Sequence, residues 1–297
     1  MKSWGVKQEM RQLGAGEYRS DLAVLTTEQG ELYIDRFRKG ISMHLEGPEN
    51  SVGILFPRSA RGQFLACGQD VGNNKLLVFP CGSSADIVIP DLSGSEAVTL
   101  PNARFTELSQ VLARACNLRD GVAVIEGNTG RMDLLRQTVI RLVAHPGLTP
   151  DAEQFSNLLE AIVLYITDSL RKGAGVDNLH SPNARMHIAK RAQAYINEHY
   201  QKILCMEDLC HHTGVGVRTL QRSFRQYFDL TISDYVKTVR LNAALRELTA
   251  AHRSEKSVTE IALRNGYTHL GRFSTEFRSR FGQSPREALD WTASKKS

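Results

Sequence analysis

No apolar run in this chain is long enough to cross a bilayer: the longest, residues 161–166, falls far short of the roughly 20 residues a membrane helix needs. The first stretch, residues 1–20, is polar and charged and lacks the apolar core of a secretory signal, so a cytoplasmic protein is expected. Cysteine is sparse. Cys67, Cys81, Cys116, Cys205 and Cys210 make an odd set at irregular spacing, which offers no disulfide framework and fits reduced thiols. Catalytic signatures are missing as well: there is no GxSxG elbow, no phosphate-binding P-loop and no paired-glycine dinucleotide turn. The region that reads as strands holds a single histidine, His44, whereas a metal-dependent site would need several ligands converging on one cation. Cys205, Cys210, His211 and His212 depart from the usual zinc spacing, and Cys210 is expected to pack. No catalytic residue, metal site or cofactor is assigned.

What the chain does have is length for two domains and an uneven distribution of charge. Its 297 residues are 41% hydrophobic and 23% charged, the make-up of a soluble globular protein. The net charge of +5 hides two unlike parts. Residues 1–175 hold 18 Lys/Arg against 20 Asp/Glu, a balance of −2, while residues 176–297 hold 19 against 12, a balance of +7. A basic half is what phosphate neutralisation requires.

Residues 1–20 show no clear period and read as a loose arm. Residues 21–100 read as short strands at 22–26, 31–37, 41–45, 52–56, 63–67, 75–79, 85–89 and 97–100, separated by Gly, Pro, Asn and Asp clusters. Many short strands at near-even spacing predict a barrel or double-sheet roll, which can hold a small ligand in its mouth. Helical spacing follows. Phe105, Leu108, Val111, Leu112 and Ala115 mark one helix, and residues 132–144 another. Thr149, Pro150 and Asp151 then open a helix running to about 172, with Leu158, Leu159, Ile162, Val163, Ile166 and Leu170 as its apolar stripe. That stripe either packs on its own barrel or meets a second copy. Residues 173–184, with Gly-Ala-Gly and Ser-Pro, read as a linker.

Beyond the linker, one small unit occurs twice. The first copy reads Leu209-Cys210-His211-His212-Thr213-Gly214-Val215, then Leu220, Phe224 and Phe228. The second reads Ile261-Ala262-Leu263-Arg264-Asn265-Gly266-Tyr267, then Phe273, Phe277 and Phe281. Each is a short apolar helix, a glycine turn and a second helix, the sequence form of a helix-turn-helix whose second helix enters the DNA major groove. On a helical wheel Leu220, Phe224 and Tyr227 fall on one side, and Arg218, Gln221, Arg222 and Arg225 on the other. Arg can fork onto guanine and Gln onto adenine. In the second copy His269, Gly271, Arg272, Thr275 and Arg278 point outward. Gly271 allows close approach but reads no base edge, so this copy is expected mostly to position the protein on phosphates. A helix over 232–251 joins the copies, with Tyr235, Val239, Leu241, Ala244, Leu245 and Leu248 inward. Two readers in successive major grooves on one DNA face would sit roughly 34 Å apart. Ser257 with Glu260, and Ser284 with Glu287, form capping-box patterns.

Residues 185–291 resemble the AraC/XylS family of bacterial transcription regulators. The resemblance is carried by Arg218-Thr219-Leu220-Gln221-Arg222-Ser223-Phe224, by Arg240-Leu241-Asn242, by Gly266-Tyr267-Thr268-His269-Leu270-Gly271-Arg272-Phe273, and by Phe281-Gly282-Gln283-Ser284-Pro285. The wording of residues 269–273 looks most like the branch holding the ethanolamine-utilisation and benzoate-type activators. Gly216 stands where the family often has a Ser cap, and Asp229 and Ile232 where it often has Gly and Pro. The resemblance implies double-stranded DNA as ligand, with Arg218, Thr219, Gln221, Arg222, Arg225, Thr268, His269, Gly271, Arg272, Thr275 and Arg278 as candidate contacts. It further implies RNA polymerase as a partner, a small-molecule effector, a homodimer and activation of a catabolic or metabolic operon. No effector-binding residue is assigned.

The expected fold is α+β overall: an N-terminal β-rich roll or barrel (cupin-like) with C-terminal helices, then an all-α tandem helix-turn-helix domain. The expected division is an arm over 1–20, an effector-binding and dimerisation domain over 21–172, a linker over 173–184 and a DNA-binding domain over 185–291. Two other functions fit parts of this pattern, a constitutive DNA-binding or architectural protein without effector and an enzyme fused to a DNA-binding module.

Overall fold

A computed structural model of the chain describes residues 9–47, 51–101, 121–144, 152–171, 176–179, 184–250 and 257–294. Contacts divide the chain into two units, residues 1–10 with 20–181, and residues 11–19 with 182–297. Among the described residues no helix is long and apolar enough to cross a membrane.

The first unit is two antiparallel sheets closed by helices, so the chain is α+β with its β-rich part first. Its strands are β1 (Glu9–Gln12, reaching into the second unit's segment), β2 (Ser20–Thr27), β3 (Gly30–Phe37), β4 (Ile41–Glu46), β5 (Ser51–Ser59), β6 (Leu65–Ala66), β7 (Gln69–Asp70), β8 (Lys75–Phe79), β9 (Ser84–Ile89), β10 (Ser93–Pro101), β11 (Ala123–Glu126) and β12 (Val176–Asn178). One sheet runs β12-β11-β8-β5-β10-β3-β2 and the other β1-β4-β9-β6-β7. In β4, Ile41, Met43 and Leu45 are buried while Ser42 and His44 are half-exposed, the alternation of a strand with one covered face. β8 and β10 are buried at nearly every position, so both faces of the larger sheet are covered along them. Helices α1 (Thr129–Ala144) and α2 (Ala152–Arg171) cover the larger sheet. Met132 and Val139 of α1 and Leu158, Ile162 and Ile166 of α2 share one core with Ile54, Phe56, Val78, Val98 and Ile125, and Leu159 and Val163 pack at its border. The α2 stripe therefore packs on its own sheet.

Each expected strand is present. The structure adds β1, β7, β11 and β12, the last inside the segment expected as a linker. β7 has two residues and β12 three, so neither carries a readable period. β12 is ordered by pairing with β11, Ala123 opposite Asn178. The helix expected around Phe105 to Ala115, the opening at Thr149, Pro150 and Asp151, and the side chain of Leu170 lie outside the described residues.

Two polar groups stand out in this unit. His44 Nδ1 lies 2.8 Å from Asp86 Oδ1, directly across the β4–β9 ladder. Glu96 has no exposed surface and meets Arg36 Nη2 at 2.6 Å. Burial pushes the neighbouring Asp35 carboxyl up to about 6; Arg36 opposes the shift and Glu96 adds to it.

The second unit contains helices α3 (Ala184–His199), α4 (Met206–Thr213), α5 (Val217–Phe228), α6 (Ile232–Ala250), α7 (Val258–Arg264), α8 (Leu270–Phe281) and α9 (Pro285–Ser294). The α4–α5 pair is the first copy of the repeat and α7–α8 the second. α6 serves both cores. Near its start, Tyr235 packs edge-on against Phe224 at 5.2 Å and at a tilt against Phe228 at 5.1 Å. Further along, Leu241, Ala244 and Leu248 share a core with Ile261, Phe273, Phe277 and Phe281. Residues 11–19 belong to this unit. Arg11 and Gln12 are buried, and Arg11 Nη1 donates to the Tyr235 hydroxyl at 2.6 Å.

Candidate nucleic-acid interface

Local chemistry fixes each motif. α4 opens at Cys205, whose sulfur accepts the Asp208 N–H at 3.4 Å, and closes at Gly214 in the left-handed region (φ 74). The cysteine is thus a helix cap, and Cys210 is half-buried. Among the described residues no group of three or more His, Cys, Asp or Glu is placed to hold a metal ion. α5 begins at Gly216 without a side-chain cap and ends at Asp229 in the left-handed region (φ 53). α7 begins with the full capping box: Ser257 Oγ accepts from the Glu260 N–H at 3.2 Å, and Glu260 Oε2 from the Ser257 N–H at 2.7 Å. The Ser257 N–H and the Ser257 hydroxyl, which also donates to Glu260 Oε2 at 3.0 Å, hold the Glu260 carboxyl below its usual range. Ser284 and Glu287 repeat the pattern at 3.2 and 2.6 Å. The turn of the second motif needs glycine twice over. Gly266 has φ 80, and a Cβ there would lie 3.0 Å from Arg240 Nε and from the carbonyls of Tyr200 and Gln201.

The first recognition helix, α5, is divided cleanly. Leu220, Phe224, Tyr227 and Phe228 are buried, while Arg218, Thr219, Gln221, Arg222 and Arg225 are exposed. Among the described residues the side chains of Arg218, Gln221, Arg222 and Arg225 make no hydrogen bond or ion pair within the chain. Four uncommitted donor-bearing side chains stand on one rigid helix, which matches the requirements of base-edge recognition.

The second recognition helix, α8, is divided in the same way but its surface is partly committed. Phe273, Phe277 and Phe281 are buried; Thr268, His269, Gly271, Arg272, Thr275 and Arg278 are exposed. The Thr275 hydroxyl donates to the Gly271 carbonyl at 3.0 Å. Arg272 Nε meets Glu276 Oε1 at 2.9 Å. The same carboxylate accepts the Tyr267 hydroxyl at 3.2 Å and lies 3.8 Å from Lys237 Nζ on α6. Burial and the adjacent Glu276 raise the Tyr267 hydroxyl well above its ordinary value. Glu276 and Lys237 are absent from the sequence-based contact set. The i,i+4 spacing of Arg272 and Glu276 was a usable signal for the first, while Lys237 comes from another helix and gave none. These groups edge a cleft of about 390 Å³ between the two motifs, floored by α6. Arg240 lines it too, held by the carbonyls of Tyr200 at 2.7 Å and Lys202 at 2.8 Å, and burial lowers its basicity.

Comparison with known proteins agrees with this geometry. Residues 209–290 match the model of a helix-turn-helix domain family. The chain is 33% identical over 132 residues to the "Probable thc operon regulatory protein" of Rhodococcus erythropolis, covering 42% of this chain and 40% of that protein. It is 32% identical over 164 residues to the HTH-type transcriptional activator RhaS of Salmonella arizonae, covering 54% of this chain and 55% of that protein. The chain thus spans about half the length of the curated relatives it matches. A solved transcriptional regulator of the AraC-type DNA-binding class from Chromobacterium violaceum is 29% identical, with 36% of this chain and 92% of that chain covered and a TM-score of 0.33. The C-terminal part of the chain carries a helix-turn-helix domain.

Proposed function

We propose that the protein is a sequence-specific DNA-binding regulator of transcription, and that it activates a catabolic or metabolic operon in response to a small molecule. One observation carries the reading: α5 exposes Arg218, Gln221, Arg222 and Arg225 without internal partners, while its other side is locked into an aromatic core. The balance of +7 over residues 176–297 supplies the general attraction to phosphate. The named activities of the thc and RhaS relatives support regulation and activation. Residues 185–291, with residues 11–19 added, act as the DNA-binding part. Residues 21–172 act as the effector-binding and dimerisation part. Leu134 and Leu164, exposed on α1 and α2, favour a contact between copies there. RNA polymerase is the partner and the cytoplasm the place of action. The wording of residues 269–273 favours a position near the ethanolamine-utilisation and benzoate-type branch. No catalytic step is proposed.

The test is selection of a duplex from a randomised pool by the full chain, followed by fluorescence anisotropy on that duplex and on a scrambled one. A preference of at least about a thousandfold is expected of a specific binder. Equal affinity for both would leave a non-specific DNA-binding protein and end the reading as a sequence-specific regulator.

A further inference from the structure

On the second motif one acidic side chain is shared by three neighbours. Glu276 sits four residues after Arg272 on α8 and takes its Nε–H at 2.9 Å. Its carboxylate also accepts the Tyr267 hydroxyl at 3.2 Å and faces Lys237 of α6 at 3.8 Å. The side chain of Glu276 is 19% exposed, whereas that of Arg272 is 68% exposed. The acid is thus tucked into the cleft while the arginine projects from it. A guanidinium has five N–H donors in a fixed fork. Engaging Nε leaves both terminal nitrogens for an outside acceptor, so the carboxylate orients Arg272 without consuming it. It also offsets one of two positive charges at this end of the motif, charges that would otherwise attract any phosphate, cognate or not.

We infer that Glu276 is a positioning residue that sets DNA specificity. It holds Arg272 in one orientation for a phosphate of the correctly registered site, and it restrains the pull of Arg272 and Lys237 on random DNA. The inference rests on the DNA-binding reading and adds a residue to it. Glu276→Gln keeps an acceptor for Arg272 but removes the negative charge, so the bond loses its ion-pair component and holds the guanidinium less firmly. On random DNA the freed charge gives a pure gain. On the cognate site that gain is offset by the loss of orientation.

The experiment uses the full chain, the duplex selected from a random pool and its scrambled counterpart, across a salt series. Glu276→Gln is expected to bind the scrambled duplex about tenfold more tightly at low salt, with a log–log salt slope steeper by about 0.9, the value of one added phosphate contact. The selected duplex should gain less, so the preference falls. In an Arg272→Ala background the same change should leave the preference where Arg272→Ala alone put it. Glu276→Asp, which keeps the charge, should return the wild-type slope. A merely structural carboxylate would instead lower the melting temperature and weaken both duplexes alike with no change of slope; that result, or a wild-type slope and preference in Glu276→Gln, overturns the inference while leaving the DNA-binding reading intact. If the wild-type chain binds neither duplex, both fall.

Discussion

Asn242 meets Gln12 as one peptide group meets another, although 230 residues separate them. Its Oδ1 accepts the Gln12 backbone N–H at 3.0 Å, and its Nδ2 donates to the Gln12 carbonyl at 3.2 Å. Nδ2 also donates to the Thr238 carbonyl one helical turn back, at 2.9 Å. Arg280 Nη1 adds a second donor to the Gln12 carbonyl at 3.2 Å and reaches the Leu13 carbonyl as well. Asn242→Ala would leave the buried Gln12 amide without its partner, at a cost of about 1–3 kcal/mol. The second unit should therefore unfold at lower urea concentration, with an unchanged m-value. Removal of residues 1–19 should cause at least as large a loss. Wild-type midpoints in both variants would show that the segment contributes nothing to stability.

Arg222→Ala and Gln221→Ala are each expected to cost about 1–3 kcal/mol on the selected duplex and little on random DNA. Both side chains are exposed and unpaired within the chain, so neither change should alter the melting temperature. Equal losses on the two duplexes would assign them to phosphate instead.

Arg272→Ala should behave in the opposite way. It removes a projecting cation near the start of α8, so the salt slope should flatten by about 0.9 and both duplexes should weaken, the selected one more because the oriented guanidinium meets its phosphate best there. A loss of preference at one base pair with an unchanged slope would mean that α8 reads sequence.

The two recognition helices close on different residues in the same conformation, Asp229 at φ 53 and Gly282 at φ 75. A Cβ strains this region by roughly 1 kcal/mol. Asp229→Gly should stabilise the second unit by a few tenths to about 1 kcal/mol. Gly282→Ala should cost more, because the new Cβ would also stand 2.9 Å from the Glu17 nitrogen. Thermal denaturation of both variants checks the sign. A destabilised Asp229→Gly would show that the aspartate side chain makes a compensating contact.

Asp35 gives the first unit a pH dependence of known direction. Its folded value of about 6 exceeds its ordinary 3.8, so the folded state holds the proton more tightly. Stability from this group is complete below about 3.8 and is lost as pH rises through 6; the loss is at most about 3 kcal/mol, each pKa unit being worth ~1.4. Asp35→Asn beside Arg36 and Glu96 should therefore gain on wild type as pH rises from 5 to 6.5, then run parallel to it. A constant difference in midpoint across that range would show that Asp35 does not titrate there.

The helix-turn-helix repeat was legible because it depends on local chemistry. A left-handed turn calls for Gly214 and Gly266, helical spacing places Phe224 and Phe277 inward, and capping boxes reveal themselves within four residues. The long strands were legible for the same reason. β7 and β12 were not, since strands so short exist only by virtue of their partners. Residues 11–19 were unreadable for a related reason. Gln12 is a polar residue in an aperiodic stretch, and the groups that bury it, Asn242 and Arg280, look like ordinary polar residues of distant helices. Within the candidate interface the outward residues of α5 and α8 followed from the helical wheel. The sharing of Glu276 between Arg272 and Lys237 required the packing of α6 against α8, which no local pattern encodes.

The placement of residues 11–19 also fixes an order of events during synthesis. Gln12 is synthesised 268 residues before Arg280, which holds it. At about 5–20 residues per second that is a wait on the order of ten to fifty seconds. Throughout it residues 11–19 lack these partners, and the second unit lacks a piece of its own framework. Its assembly ends only when α6 and α8 have both been made and close over residues 11–19, so a chain stalled before α8 cannot complete this unit.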